Sequence, residues 1–132
     1  MEILQPPGWA KPRGYSNGIA VANGKLVFIS GQIGWDESCQ FQSEDFVEQA
    51  KKALQNIVAI LERADGKPEH VTRLTWYVVD KQEYLASGKA LGQAYREVMG
   101  NHYPAMTALE VKALIEDAAR VEIEATAVIP TG

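Results

Sequence analysis

Two carboxylates near the end of the chain have the type and spacing that could support chemistry. Glu122 and Glu124 alternate with apolar residues in the segment Val-Glu-Ile-Glu-Ala, so both should lie on one face of a strand whose other face is apolar. A carboxylate in a partly desolvated cleft can hold water and take its proton. Because most acidic residues are exposed, the alternative is a pair of solvated or ion-paired side chains.

Other reactive side chains lack the spacing of catalytic or metal sites. Cys39 lies in a polar loop with no acid or base paired to it in sequence, and a catalytic nucleophile needs such a partner. His70 and His102 are far apart, with no HxxxH or CxxC spacing, so no metal site is expected. The chain has no Walker-type phosphate loop and no GxGxxG motif, so no nucleotide cofactor is expected.

The composition indicates a small acidic protein. The 132 residues fit a single domain spanning residues 1–132. Thirteen Lys and Arg against 17 Asp and Glu argue against nucleic-acid binding, which depends on neutralising phosphates. One cysteine excludes an internal disulfide and favours a reducing compartment, the cytoplasm. Short apolar runs and the absence of a signal-peptide pattern at the N-terminus predict no membrane association.

Turn and periodicity signals predict the first elements that must position these residues. Two β-rich runs flank Asn23-Gly24, a pair that tolerates positive φ at both centres of a type I′ turn. This pattern predicts a hairpin over residues 18–30. Apolar residues at helical spacing then predict an amphipathic helix over about residues 44–64, ended by Asp65-Gly66.

A second helix and three more strands are predicted from the rest of the sequence. Asp80 and Glu83 resemble a capping box that opens the second helix, and Gly100 ends it. The β-branched and aromatic segments that predict strands are residues 71–79, 103–111 and 120–129.

Two helices can cover only one face of such a sheet. The other face should be polar if it is solvated, yet the strand at 71–79 places Thr75, Tyr77 and Val79 there. Another subunit covering this face explains its apolar character, which predicts a homo-oligomer.

Four short segments, in this order and spacing, resemble the Rid family, the reactive intermediate deaminases also called YjgF or endoribonuclease L-PSP proteins. The segments are Tyr15-Ser16-Asn17-Gly18, Ser30-Gly31-Gln32-Ile33, Tyr103-Pro104-Ala105 and Val121-Glu122-Ile123-Glu124-Ala125. The resemblance implies a chorismate-mutase-like α+β fold with a mixed sheet and two helices on one face. It also implies a homotrimer whose sheets form a barrel, with clefts between subunits.

The resemblance also implies an activity and a set of site residues. The family hydrolyses short-lived enamines and imines such as 2-aminoacrylate to a 2-keto acid and ammonia. Glu122 corresponds to the acid that handles water and is the expected catalytic residue. The substrate-binding positions that the resemblance assigns are Tyr15, Ser30, Gly31, Met106 and Thr107.

Position 106 departs from the family pattern. Where the motif has a carboxylate-binding Arg, this chain has Met106, and Ala108 stands where a Cys is usual. An Arg fork grips a carboxylate through two hydrogen bonds, whereas Met donates none. If Tyr15, Trp9 and Trp35 lie near Met106, the cleft would suit a larger, less charged ligand, for example an aromatic one.

Three functions follow from these observations. The first is an imine or enamine hydrolase with an altered substrate preference. The second is a non-catalytic trimeric protein that binds a small metabolite. The third is an endoribonuclease, which the acidic balance and the absence of a basic stripe with stacking aromatics disfavour.

Overall fold

The computed structural model describes residues 1–131, which form a four-stranded mixed sheet, a small two-stranded sheet and three α-helices. The large sheet has the order β3-β6-β4-β5, with β4 and β5 parallel and the other pairs antiparallel. The predicted mixed α+β architecture is therefore confirmed. The elements are β1 (Glu2–Leu4), β2 (Gly18–Ala20), β3 (Lys25–Ile33), α1 (Phe46–Glu62), β4 (Val71–Val78), α2 (Lys81–Ala86), α3 (Gly88–Met99), β5 (Ala105–Glu110) and β6 (Val121–Ile129), with a 3₁₀ turn at Pro68–His70.

The predicted hairpin over residues 18–30 is wrong. β2 pairs with β1, whereas β3 pairs with β6. Within Asn23-Gly24 only the glycine has a positive φ, at 145°. A Cβ at Gly24 would lie 2.5 Å from Cγ1 of Val128, so the glycine allows a close approach to β6 and does not form a type I′ turn.

Helix α1 follows its prediction closely. The Asp45 side chain accepts a hydrogen bond from the backbone N–H of Glu48 at 3.0 Å and caps the helix. The apolar stripe that includes Leu54 and Ile57 is buried. Asp65, with φ of 62°, turns the chain after the helix.

The predicted second helix is two helices. Asp80 caps α2 by accepting from the N–H groups of Gln82 and Glu83, but Glu83 does not complete a capping box. Its carboxylate instead pairs with Arg120 at 3.2 Å. Ser87 separates α2 from α3, and Gly100, with φ of 68°, ends α3 as predicted.

The helices cover one face of the large sheet. Alternate residues of β6, including Val121 and Ile123, are buried in the core on that face. On the opposite face Leu26 is exposed and Phe28 is 75% exposed. Leu26 and Phe28 are neighbours on this face of β3, and adjoining exposed apolar residues are typical of a surface that another chain covers.

We expect the uncovered face to hold an oligomer together. Light scattering at micromolar concentration should give a multiple of the 14.5 kDa chain mass, with three the number that the Rid resemblance implies. Phe28→Lys should lower that mass, because burying a charge in the interface is unfavourable. Trp9→Lys is the control, since Trp9 is similarly exposed but lies outside the strands. A single-chain mass for the unaltered protein would contradict this expectation.

Candidate functional site

Met106 lies at a cavity of about 320 Å³ between the sheet and α3. The register pairs Met106 with Leu74 of β4, which is fully buried in the core, so Met106 points to the helix-covered face. The sheet also contributes Trp76, and the segment before β2 contributes Arg13 and Gly14. The remaining lining residues are Tyr84, Leu85, Gly88, Leu91, Gly92, Tyr95, Arg96 and Tyr103.

Four of the residues that line the cavity are aromatic: Trp76, Tyr84, Tyr95 and Tyr103. Tyr95 and Tyr103 are stacked with centroids 5.4 Å apart, and Trp76 meets Tyr84 edge-on at 6.3 Å. The hydroxyl of Tyr95 donates to the carbonyl of His102 at 2.6 Å. Burial raises the pKa values of Tyr95 and Tyr84 above the usual range, so both phenols stay neutral at physiological pH.

Arg13 and Arg96 are the cations of this cavity. Neither belongs to an ion pair within residues 1–131. The predictions from the sequence named neither arginine, because neither is a close sequence neighbour of Met106. A signal was present in α3, because Gly88, Gly92 and Arg96 follow one another at intervals of four and so share one helix face.

Glu122 lies on the opposite face of the sheet. It alternates with the buried Val121 and Ile123 and pairs with Tyr77 and Ile33 in register. A Cβ built at Gly31 would lie only 1.9 Å from Oε2 of Glu122, so the carboxylate sits directly over this glycine.

Gly31 owes its position to a bulge in β3. Ile29 pairs with Ala125 and Gln32 with Ile123, so Ser30 and Gly31 introduce one extra residue into β3. A bulge bends its strand and redirects side chains. Ser30 lines a second pocket together with Glu124 and Arg73.

The expected single cleft is not assembled within one chain. Met106 lies on β5, which is one edge of the large sheet, and Gly31 lies on β3, the other edge. Met106 and Glu122 also occupy opposite faces. The structure therefore separates the expected site into a half at Met106 and a half at Glu122 and Gly31.

Other predicted site residues lie outside both halves. Tyr15 lines a different cavity with Trp9 and His102, and Thr107 faces the uncovered side opposite Thr75. The expectation that Trp9 and Trp35 line the Met106 cavity is wrong. The tryptophan at that cavity is Trp76, and Trp35 contacts Phe41 in the loop before α1.

Glu124 and the histidines have structural partners. Glu124 accepts a hydrogen bond from the Tyr77 hydroxyl at 2.7 Å, and this bond raises the pKa of Tyr77. His102 Nε2 donates to the carbonyl of Val71 at 2.6 Å, and His70 Nδ1 accepts from the backbone of Lys67. Among the residues that the structure describes, no three His, Cys, Asp or Glu side chains lie close enough to hold a metal ion. No described helix is long and apolar enough to cross a membrane.

Comparison with known proteins identifies the family. The family model described as Endoribonuclease L-PSP matches residues 9–129. The structure also resembles that of a protein of unknown function of the conserved Rid family from Yersinia pestis, with a TM-score of 0.86, 27% identity and coverage of 97% of this chain and 98% of that one. The chain belongs to the Rid family.

Two curated relatives show what this Rid chain is similar to. A RutC family protein of Pyrococcus abyssi is 36% identical over 96% of this chain and 95% of its own length. The human 2-iminobutanoate/2-iminopropanoate deaminase is 33% identical over 97% of this chain and 88% of its own. This level of similarity supports a Rid-type hydrolase at the family level.

The contact between Gly31 and Glu122 can be tested with a double-mutant cycle. Gly31→Ala should lower the free energy of unfolding by about 1–3 kcal/mol, because the added methyl group overlaps the Glu122 side chain. In a Glu122→Ala background the same substitution should change it by less than about 0.5 kcal/mol. Urea denaturation measures both values, and equal effects in the two backgrounds would show that the residues do not touch.

Proposed function

We propose that this Rid chain hydrolyses enamines or imines and releases ammonia and a carbonyl compound. The observation that carries the proposal is the Glu122 carboxylate held over the backbone of Gly31 at a strand bulge. A glycine there leaves room for the carboxylate itself, which can accept a proton from water. The deaminase names of relatives at 33–36% identity support the same reaction class.

The reaction needs water, a proton acceptor and no redox partner. The water oxygen bonds to the imine carbon while Glu122 takes one of its protons. That proton and the remaining hydroxyl proton pass to nitrogen, the C–N bond breaks, and nitrogen leaves as ammonia. The carbon keeps the oxygen as a carbonyl group, and Glu122 returns to its ionised form.

The complete site, in this proposal, lies between neighbouring copies of the chain. The Met106 half is at the β5 edge and the Glu122 half is near the β3 edge, so a head-to-tail contact between copies would join one half to the other. Such a contact generates a closed ring when the rotation allows it, and a homotrimer is the ring that we propose. The exposed Phe28 supports a covered inner face, and the lone free Cys39 fits a cytoplasmic protein.

Replacing Glu122 tests the proposed base. Glu122→Gln keeps the side-chain shape but removes the proton acceptor, so ammonia release from a panel of small and aromatic imines should fall at least about 100-fold. Glu124→Gln is the matched control on the same strand face, and its amide oxygen can still accept from Tyr77. Melting temperatures check that both variants fold.

Two results would contradict the enzyme proposal. One is a Glu122→Gln variant that hydrolyses imines at the unaltered rate. The other is an unaltered protein that binds members of the panel but hydrolyses none of them, which would favour the metabolite-binding alternative.

Restoring the family's arginine tests position 106. Met106→Arg should raise kcat/KM for small 2-imino acids about 10- to 100-fold, because a charged hydrogen bond to a carboxylate contributes about 1.5–3 kcal/mol. Met106→Gln, which adds polarity without charge, should show no comparable gain. A coupled ammonia assay measures both, and an unchanged value for Met106→Arg would mean that position 106 does not face the substrate carboxylate.

A further inference from the structure

We propose that the Met106 cavity binds a carboxylate carrying an aromatic or similarly large apolar group, with Arg96 and Arg13 holding the carboxylate. This inference rests on the proposed function in one respect: it takes such a molecule to be the substrate. Binding itself follows from the shape, wall and charge of the cavity.

Two glycines of α3 open the cavity. Gly88 and Gly92 are four residues apart and line the same space. A Cβ at Gly88 would meet nothing within 4 Å, and one at Gly92 would meet only the Arg96 guanidinium at 3.3 Å. Glycine is a poorer helix former than alanine, and no close backbone packing requires it here. Both glycines line the cavity, and apart from Arg96 no other described residue fills the space beside them.

The size and wall of the cavity fit one aromatic ring. Its volume of about 320 Å³ lies at the lower end of the roughly 300–1,000 Å³ typical of small-molecule pockets. A three-carbon imino acid would leave most of it empty, whereas a phenyl ring could pack against Trp76, Tyr84 and Met106. Such apolar walls with few polar groups are typical of ligand sites.

The charge that position 106 lacks is present elsewhere in the cavity. Arg96 lies over the bare surface of Gly92, and neither Arg96 nor Arg13 is neutralised by an acidic residue within residues 1–131. Guanidinium groups bind carboxylates through paired hydrogen bonds. In this arrangement the carboxylate of the ligand lies beside α3, and not beside β5 as in the family pattern. The apolar group of the ligand then packs beside Met106.

Calorimetry with three stable probes tests the proposal on the full chain. 3-Phenylpropionate offers a ring and a charge, propionate only the charge, and 3-phenylpropanamide only the ring. We expect 3-phenylpropionate to bind at least about 10-fold more tightly than either of the others. Equal affinities for the acid and the amide, or no binding of the acid at 10 mM (roughly the weakest affinity a specific site would show), would overturn the proposal.

Arginine variants test which cation holds the carboxylate. Arg96→Gln should remove most of the advantage of the acid over the amide, and Arg13→Gln should reduce it less. Arg63→Gln is the control, because Arg63 is exposed at the end of α1, away from the cavity. An unchanged preference for the acid in the Arg96→Gln, Arg13→Gln double variant would contradict the assignment.

Filling the glycine gap tests the cavity itself. Gly92→Leu should reduce the affinity for 3-phenylpropionate at least about 10-fold while raising the melting temperature by roughly 2–6 °C, since leucine favours a helix. A lost affinity with a lowered melting temperature would call for Gly92→Ala, which should weaken binding less without destabilising the fold. Unchanged binding with an altered molar mass in light scattering would show that a neighbouring copy fills the space, and would overturn the proposal.

Failure of this inference can be separated from failure of the proposed function. The probes are not hydrolysed, so their binding does not depend on Glu122. If they bind as expected but imines of aromatic amino acids are not hydrolysed, the hydrolase proposal fails and the ligand class stands. If small and aromatic imines are hydrolysed with equal kcat/KM and the probes do not bind, the ligand class fails and the hydrolase proposal stands.

Discussion

The alternation of buried and half-buried residues in β6 is the constraint on which the structure depends. β6 lies inside the large sheet between β3 and β4, and its odd-numbered residues from Val121 to Ile129 are buried. A shift by one residue would turn Glu122 and Glu124 into the core, where unpaired charges are strongly unfavourable. Buried Gln49 also holds the start of β6, because it accepts from Arg120 N and donates to the carbonyl of Ala118. The face that carries Glu122 is therefore fixed by packing.

Much of the fold could be predicted from the sequence because its signals are local. Helix α1 and the strands around residues 71–79 and 120–129 follow from period and composition, and their bounds agree within about two residues. The hairpin prediction failed because Asn23-Gly24 has the composition of a turn. Gly24 instead allows Val128 of β6 to lie close to the backbone. The break at Ser87 was missed because the apolar stripe continues across it. At Gly24 the outcome was decided by Val128, which is distant in sequence.

The candidate site, like the fold, could be predicted only in part from the sequence. Family resemblance led to Glu122, Gly31 and Met106 and implied a cleft between subunits. Only the strand order shows that Met106 and Gly31 lie at opposite edges of the sheet, and the register shows that Met106 and Glu122 lie on opposite faces. Arg96 was not found from proximity in sequence, because the last residues of α3 and the loop at 100–104 separate it from Met106. The absence of an arginine at position 106 therefore did not predict which charged residues line the cavity around it. A cavity is defined by what several elements present to it, and α3 presents an arginine and two glycines.

The close contact between Gly31 and Glu122 has a consequence for evolution. Because the carboxylate occupies the space of a β-carbon, any side chain at position 31 requires a shorter one at position 122. Position 31 can therefore change only after position 122 has lost its long side chain, whereas position 122 can change alone. Joint substitution at these positions among relatives would mark the branches in which this half of the site has been given up.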